Sequence, residues 1–127
     1  MLTKLIFIII VIFSLVGVGK MFLKLTNLLE NNGEILIASQ EVNYIAKIVY
    51  TDYLITNRNL NTMTAEAFTK FLNKHIKSDD NLRDYSKDPW LMPYRLIIRS
   101  KDVYEIRSAG PDLEFNTNDD IIAVSQY

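Results

Sequence analysis

The segment that most constrains the fold of this chain is residues 108–121, which run SAGPDLEFNTNDDI. Gly110 and Pro111 predict a turn at its start, and the apolar residues from Ile121 onward predict a strand at its end. Between them lie four carboxylates, two amides and one hydroxyl. A hard cation such as Ca²⁺ takes oxygen ligands of this kind. Since Asp and Asn also favour turns without any metal, the residues alone leave a cation-binding loop and a plain solvated turn open.

This segment does not fit an EF-hand. With the first ligand at Asn116, Ile121 occupies the position of the required glycine, and Tyr127 occupies that of the closing glutamate. The carboxylates at Asp112 and at positions 119–120 instead bracket the loop. Close together, they would repel one another unless a divalent cation neutralised them.

Three short segments rich in β-branched and aromatic residues predict strands, at residues 94–99, 103–107 and 121–125. Residues 100–102 separate the first two, which predicts a hairpin. The third strand has to return to the sheet across the acidic loop. With helices upstream, this order predicts an α+β fold in which a helix covers one face of a small three-stranded antiparallel sheet.

The N-terminus carries an uncharged apolar run, residues 5–19, between Lys4 and Lys20. Fifteen helical residues span about 22 Å, less than a hydrocarbon core of about 30 Å, but flanking lysines that reach the interface extend the usable length. A cleaved signal peptide would need a small-x-small site, which is missing. A buried soluble helix would have to cover a segment that is apolar on every side. We therefore expect residues 1–25 to form a single-pass membrane anchor and residues 26–127 a separate domain.

Two further helices are predicted between the anchor and the strands. Residues 34–55 repeat apolar side chains at helical spacing, in a stripe that either packs on the chain's own sheet or accepts a partner helix. Residues 31–33, Asn-Asn-Gly, either end the preceding helix or kink it. Thr62 or Thr64 caps a second helix, and residues 78–81 predict a solvated loop after it. The stripe of the first helix consists of Ile35, Ala38, Val42, Ile45, Val49 and Tyr53.

The composition argues against an enzyme. The chain has no cysteine, which excludes disulfides, thiolate metal sites and cysteine nucleophiles. His75 is the only histidine, so a zinc site lacks ligands and no serine is placed beside a base. A net charge of −1 predicts no broad attraction to nucleic acid.

Two motifs near the C-terminus resemble the major pseudopilin of type II secretion systems, in the type IV pilin-like superfamily. Residues 108–112 (SAGPD) with residues 118–121 (NDDI) resemble its S-x-G-P-D-G and D-D-I signature. Residues 88–94 (DPWLMPY) resemble its D-P-W-G-x-P-Y motif, which leads into the first strand. A weaker likeness lies at residues 53–57 (YLITN), and the apolar N-terminal helix completes the order. The resemblance implies a pilin-like fold.

The resemblance also implies a structural calcium site in the loop. Carried over by position, the side-chain ligands are Asp112, Asp119 and Asp120. The carbonyl of Ala109 and an oxygen of Thr117 join them. In this family calcium stabilises the subunit and catalyses nothing.

The function implied by the resemblance is that of a structural subunit. Pseudopilins sit in the bacterial inner membrane as single-pass proteins, with the C-terminal domain in the periplasm or outside the cell. They stack through their N-terminal helices, with copies of themselves or other pilin-like subunits, into a filament for protein secretion. The implied partners are the membrane, these subunits and proteins of the secretion machinery.

The chain departs from the family pattern at its N-terminus and in the loop. No glycine precedes the apolar run, and no glutamate lies near its start. In the family, a prepilin peptidase recognises that glycine, and the glutamate normally contacts the neighbouring subunit. Leu113 replaces the glycine after Asp112. These departures favour an alternative, a membrane-tethered accessory or binding protein that keeps the pseudopilin-like domain and does not polymerise.

Overall fold

A computed structural model describes residues 2–76 and 83–126, without the side chains of residues 2–18, 22, 28 and 31. The predicted solvated loop at residues 78–81 therefore lies outside the described residues. The chain divides into two compact units, Met1–Gly33 and Glu34–Tyr127. The elements in order are α1 (Leu2–Thr56), a short 3₁₀ helix (Leu60–Thr62), α2 (Ala65–His75), β1 (Arg95–Ser100), β2 (Val103–Ser108) and β3 (Ile121–Gln126).

In the first unit, α1 runs through the Asn-Asn-Gly sequence at residues 31–33 without ending there. A helical glycine costs only about 1 kcal/mol relative to alanine, which one residue in a long helix tolerates. Among the residues that the structure describes, no helix is long and apolar enough to cross a membrane. Most of the predicted anchor, residues 1–25, lies outside the described side chains. The part that is described includes the exposed apolar side chains of Met21, Leu23 and Leu25.

In the second unit, the apolar stripe of α1 packs on the chain's own sheet. Of the two predicted alternatives, this is the first; the other was a groove for a partner helix. Ala38, Val42, Ile45 and Val49 are at most 1% exposed. The Tyr104 hydroxyl, on β2, donates a hydrogen bond to the Ala46 carbonyl at 2.7 Å. The exception is Ile35, which remains 39% exposed.

The sheet is antiparallel with the strand order β1-β2-β3, which confirms the predicted α+β class. β1 and β2 form the predicted hairpin, with Leu96 opposite Ile106. β3 pairs with the other side of β2, with Ala123 opposite Ile106. Because opposite residues share a face, one face of the sheet is apolar and covered by α1. The opposite face, here called the outer face, carries Arg95, Arg99, Glu105, Arg107 and Val124.

Helix α2 begins as predicted. Thr64 is its N-cap, and the Thr64 hydroxyl accepts a hydrogen bond from the Ala67 N–H at 3.2 Å. Phe68 and Leu72 are buried in the same core as the α1 stripe.

The segment between residue 83 and β1 is tied to α1 through Glu41. Arg83 donates to both oxygens of the Glu41 carboxylate, at 2.6 and 2.9 Å, and the Tyr94 hydroxyl donates to one of them. Burial, together with the hydrogen bond to the Glu41 carboxylate, raises the pKa of Tyr94 above its usual range. The phenol therefore stays protonated and remains a donor.

Candidate functional site

The acidic segment forms the loop that joins β2 to β3, here called the β2–β3 loop (residues 109–120). β2 is buried on both faces, since Tyr104 and Ile106 face the core while Glu105 and Arg107 are only 4% and 6% exposed. The loop lies over one end of the outer face, where Arg95 stacks on the ring of Phe115, 3.6 Å from the ring centroid. The sheet thus gives the loop a fixed base.

The turn at the start of the loop requires glycine. Gly110 has φ +72°, and a Cβ there would lie 2.2 Å from the Asp119 carbonyl oxygen. No side chain fits that distance, so the backbone at Gly110 and the backbone at Asp119 approach closely. The two ends of the loop therefore meet.

The carboxylate of Asp119 binds the other end of the loop. Its Oδ1 accepts from the Thr117 hydroxyl at 2.6 Å, and its Oδ2 accepts from the Asp112 N–H at 3.0 Å. The hydrogen bond from the Thr117 hydroxyl, together with that from the Asp112 N–H, holds the pKa of Asp119 below its usual range. Three of the predicted ligand residues, Asp112, Thr117 and Asp119, are thus brought together.

The next carboxylate, Asp120, turns the other way, towards the sheet. Its Oδ2 accepts from Nη1 of Arg107 at 2.9 Å and from the Asn116 N–H at 2.8 Å. Its side chain is 3% exposed, and Oδ1 is buried without a hydrogen-bond partner among the described residues. A buried carboxylate oxygen with no donor is costly and is the kind of atom that a cation or an ordered water would satisfy.

Arg107 links this carboxylate to a second one. Nη2 of Arg107 lies 2.6 Å from Oε1 of Glu105, which also binds the more exposed Arg99. Burial acts to raise the pKa of Glu105, but the hydrogen bonds and charges of Arg99 and Arg107 outweigh it and hold this pKa below its usual range. Nε of Arg107 is buried and unpartnered among the described residues. The guanidinium therefore stands between two buried carboxylates.

The predicted calcium ligands accordingly fall into two sets. Asp112, Asp119 and Thr117 lie together, and Ala109 is buried beside Gly110 at the same closure of the loop. Asp120 points to Arg107 instead. Within the described residues, no three acidic or histidine side chains cluster as a metal site. The contact between Asp112 and Asp119 is made by the Asp112 N–H, and Oδ1 of Asp120 has no partner among the described residues.

One buried carboxylate near the loop was missed by the sequence reasoning. Asp88 is fully buried and accepts from the Trp90 and Met92 N–H groups at 3.1 and 2.8 Å, and from the Ser108 hydroxyl at 2.6 Å. It joins the Asp-Pro-Trp segment to the end of β2. Arg107 was missed as well, although Glu105 and Arg107 alternate with apolar residues along a strand, which places two opposite charges on one face.

No protein-family profile, curated protein or solved structure matches this chain.

Proposed function

We propose that this protein is a membrane-anchored, pseudopilin-like structural subunit of a type II secretion or type IV pilus-like filament. The observation that carries the proposal is the order of elements. A 55-residue helix, α1, contributes its C-terminal half to the core of a three-stranded antiparallel sheet, and an acidic loop joins the last two strands. The motif at residues 88–94 leads into β1, and the motif at residues 108–121 joins β2 to β3.

The apolar N-terminal run supports an anchor and a contact between subunits. Residues 5–19 carry no charge, and lysines flank them on both sides. Farther along the same helix Leu29, Leu36 and Tyr44 are exposed by half or more. A helix with apolar residues on its exposed side gains stability by packing against another helix. Such packing between copies would build a filament with its anchor in the bacterial inner membrane and the C-terminal domain in the periplasm or outside the cell.

A structural calcium ion in the β2–β3 loop is part of this proposal. Asp112, Asp119 and Thr117 would hold it with the Ala109 carbonyl. The ion would supply positive charge between carboxylates that otherwise repel one another. Its role is to fix the two ends of the loop, which the close approach of Gly110 to Asp119 already brings together.

Crosslinking along the N-terminal helix tests assembly. The chain has no native cysteine, so single cysteines placed within residues 5–25 report only the engineered positions. We expect oxidation of membranes to crosslink neighbouring copies in a periodic subset of these positions, because one helix face meets the next subunit. Cysteine at Lys101, in the β1–β2 turn, is the control and stays monomeric. Monomers at every helix position would overturn the filament function.

A second candidate is an accessory protein that is tethered to the membrane and does not polymerise. It is favoured by the missing glycine and glutamate at the head of the apolar run. A buried acid in a membrane is costly and is retained where a partner uses it, so its absence removes one contact between subunits. The same crosslinking experiment separates the two functions, because the accessory protein yields monomers.

A further inference from the structure

A groove of about 630 Å³ lies between the C-terminal part of α1 and the end of α2. Its apolar floor includes Tyr44, Ile48 and Ile55, of which Tyr44 and Ile55 are 54% and 78% exposed. This volume is in the range of sites that accept a small ligand or an apolar side chain. The floor is part of the second unit only and has no role in the candidate calcium site.

The rim of this groove is basic. Lys47, Arg58 and Lys74 line it, and the one carboxylate there, Asp52, is bound by Nε of Arg58 at 2.9 Å. Neither lysine forms an ion pair with a residue that the structure describes. His75 adds a further nitrogen-bearing ring, stacked on Phe71. The groove therefore combines apolar lining residues with two lysines that have no ion pair among the described residues, which suits an apolar group flanked by carboxylates.

The β2–β3 loop presents such a group. Leu113 is 47% exposed between two exposed acids, Asp112 and Glu114. Its φ is +64°, in the left-handed region that a leucine adopts at a cost of about 1 kcal/mol or more. A solvated turn would be more stable with Gly or Asn there. In a lone subunit, Leu113 therefore destabilises the loop in two ways: its apolar side chain is exposed to water, and its backbone is strained.

The tip of the loop is also held rigid. Oδ1 of Asp112 accepts from the Glu114 N–H at 2.8 Å, and the next residue, Phe115, is stacked beneath Arg95. A preorganised tip loses little conformational entropy when it binds. Leu113 and Glu114 do not line the groove of their own chain.

We propose that Leu113 of one subunit docks in the α1–α2 groove of a second copy, with Glu114 facing its basic rim. The contact rests on the proposed filament function, since a small contact needs the high effective concentration of subunits held side by side. It joins two different surfaces of the same chain. Such a heterologous contact repeats from copy to copy and builds an open assembly.

Crosslinking between two full-length copies tests this contact in membranes. One copy carries Leu113→Cys and the other Ile55→Cys, and a short bis-maleimide joins cysteines that lie close together. We expect a dimer that contains both variants. The matched control replaces Leu113→Cys by Val124→Cys, a 64% exposed position on β3, and gives no dimer. Equal yields for the two pairs would overturn the proposal.

Reversing the charges of Lys74 and Glu114 tests whether these two residues attract each other across the contact. If Lys74 only stabilised its own subunit, a change at Glu114 of the other copy would not restore the dimer yield. Lys74→Glu in the groove copy should lower the dimer yield about fivefold, because attraction across the rim becomes repulsion. Glu114→Lys in the loop copy should restore it. If the second change lowers the yield further, the pairing of the two surfaces is wrong.

The outcomes separate this contact from the filament function. Crosslinks along residues 5–25 without a Leu113–Ile55 dimer would overturn the docking and leave the filament standing. The dimer without crosslinks along the N-terminal helix would support the docking and overturn the filament function. Loss of both would overturn both.

Discussion

Two carboxylates are buried beside the same sheet, and they differ in how their oxygens are satisfied. Both oxygens of Asp88 are bound, Oδ1 by two backbone N–H groups and Oδ2 by the Ser108 hydroxyl. Asp120 has Oδ2 bound by Arg107 and the Asn116 N–H, while Oδ1 is unpartnered among the described residues. The hydrogen bonds within the chain therefore satisfy both oxygens of Asp88, whereas Oδ1 of Asp120 can still accept a bond or bind a cation.

The comparison shows why acidic residues alone do not locate a site. Asp88 was part of a motif that we expected to lead into a strand, and its hydrogen bonds explain that role fully. Asp120 was an expected ligand. One of its oxygens binds the Arg107 guanidinium, and the other has no hydrogen-bond partner among the described residues. Burial is costly for a carboxylate unless donors or cations surround it, so the partners of each oxygen decide its role.

The largest expected effect is that of Asp88→Ala. It leaves the Trp90 and Met92 N–H groups and the buried Ser108 hydroxyl without their acceptor, and we expect a loss of about 4 kcal/mol in the free energy of unfolding. Urea unfolding of a fragment beginning at residue 26, followed by circular dichroism, measures this. Asp102→Ala in the exposed β1–β2 turn is the control, with a change below about 0.5 kcal/mol. Similar losses in both variants would contradict the structural role of Asp88.

The second-largest expected effect is that of removing the Arg107 guanidinium beside Asp120. Arg107→Met leaves Glu105 and Asp120 as buried acids without their shared cation, and we expect a loss of about 3 kcal/mol in the free energy of unfolding. Arg99→Met is the matched control, because Arg99 binds the same Glu105 from a half-exposed position and should cost less than about 1 kcal/mol. Thermal unfolding of both variants at neutral pH decides the point. A larger loss for Arg99→Met would show that the buried network contributes little.

The smallest expected effect is that of calcium, which sharpens the contrast between the two carboxylates. At a concentration about ten times its dissociation constant, calcium should add about 1.4 kcal/mol and raise the melting temperature by about 5 °C. Chelation should reverse the rise. Asp119→Asn should abolish it, while Asp102→Asn should leave it intact. A melting temperature that calcium and chelator leave unchanged would remove the calcium site and leave Arg99 and Arg107 as the cations beside Glu105 and Asp120.

Much of the fold followed from local patterns. The stripe on α1 and the β1–β2 hairpin were predicted, and Thr64 was one of two predicted caps, because each depends on spacing or turn chemistry within a few residues. Residues 31–33 were expected either to end the helix or to kink it, and α1 does not end there, since a helix tolerates a glycine when the residues on both sides continue it.

The candidate site was predictable only in part. The turn at Gly110 was predicted from the Gly-Pro sequence, whereas the meeting of Asp119 with the Asp112 N–H is a feature of the folded loop. The opposite direction of Asp120 did not follow, because it depends on Arg107, which is 13 residues away in sequence and comes close only when β3 pairs with β2.

By itself, the sequence determined where helices and strands form, where the loop turns and which residues carry charge. The tertiary structure alone decided which charges meet. Pairing of the strands brings Asp120 of the loop to Arg107 and Glu105 on β2, and packing of α2 against α1 gathers Lys47, Arg58 and Lys74 around one groove. The physical reason is that local propensities act over a few residues, whereas burial and electrostatics act between any groups that the folded chain brings within a few ångströms.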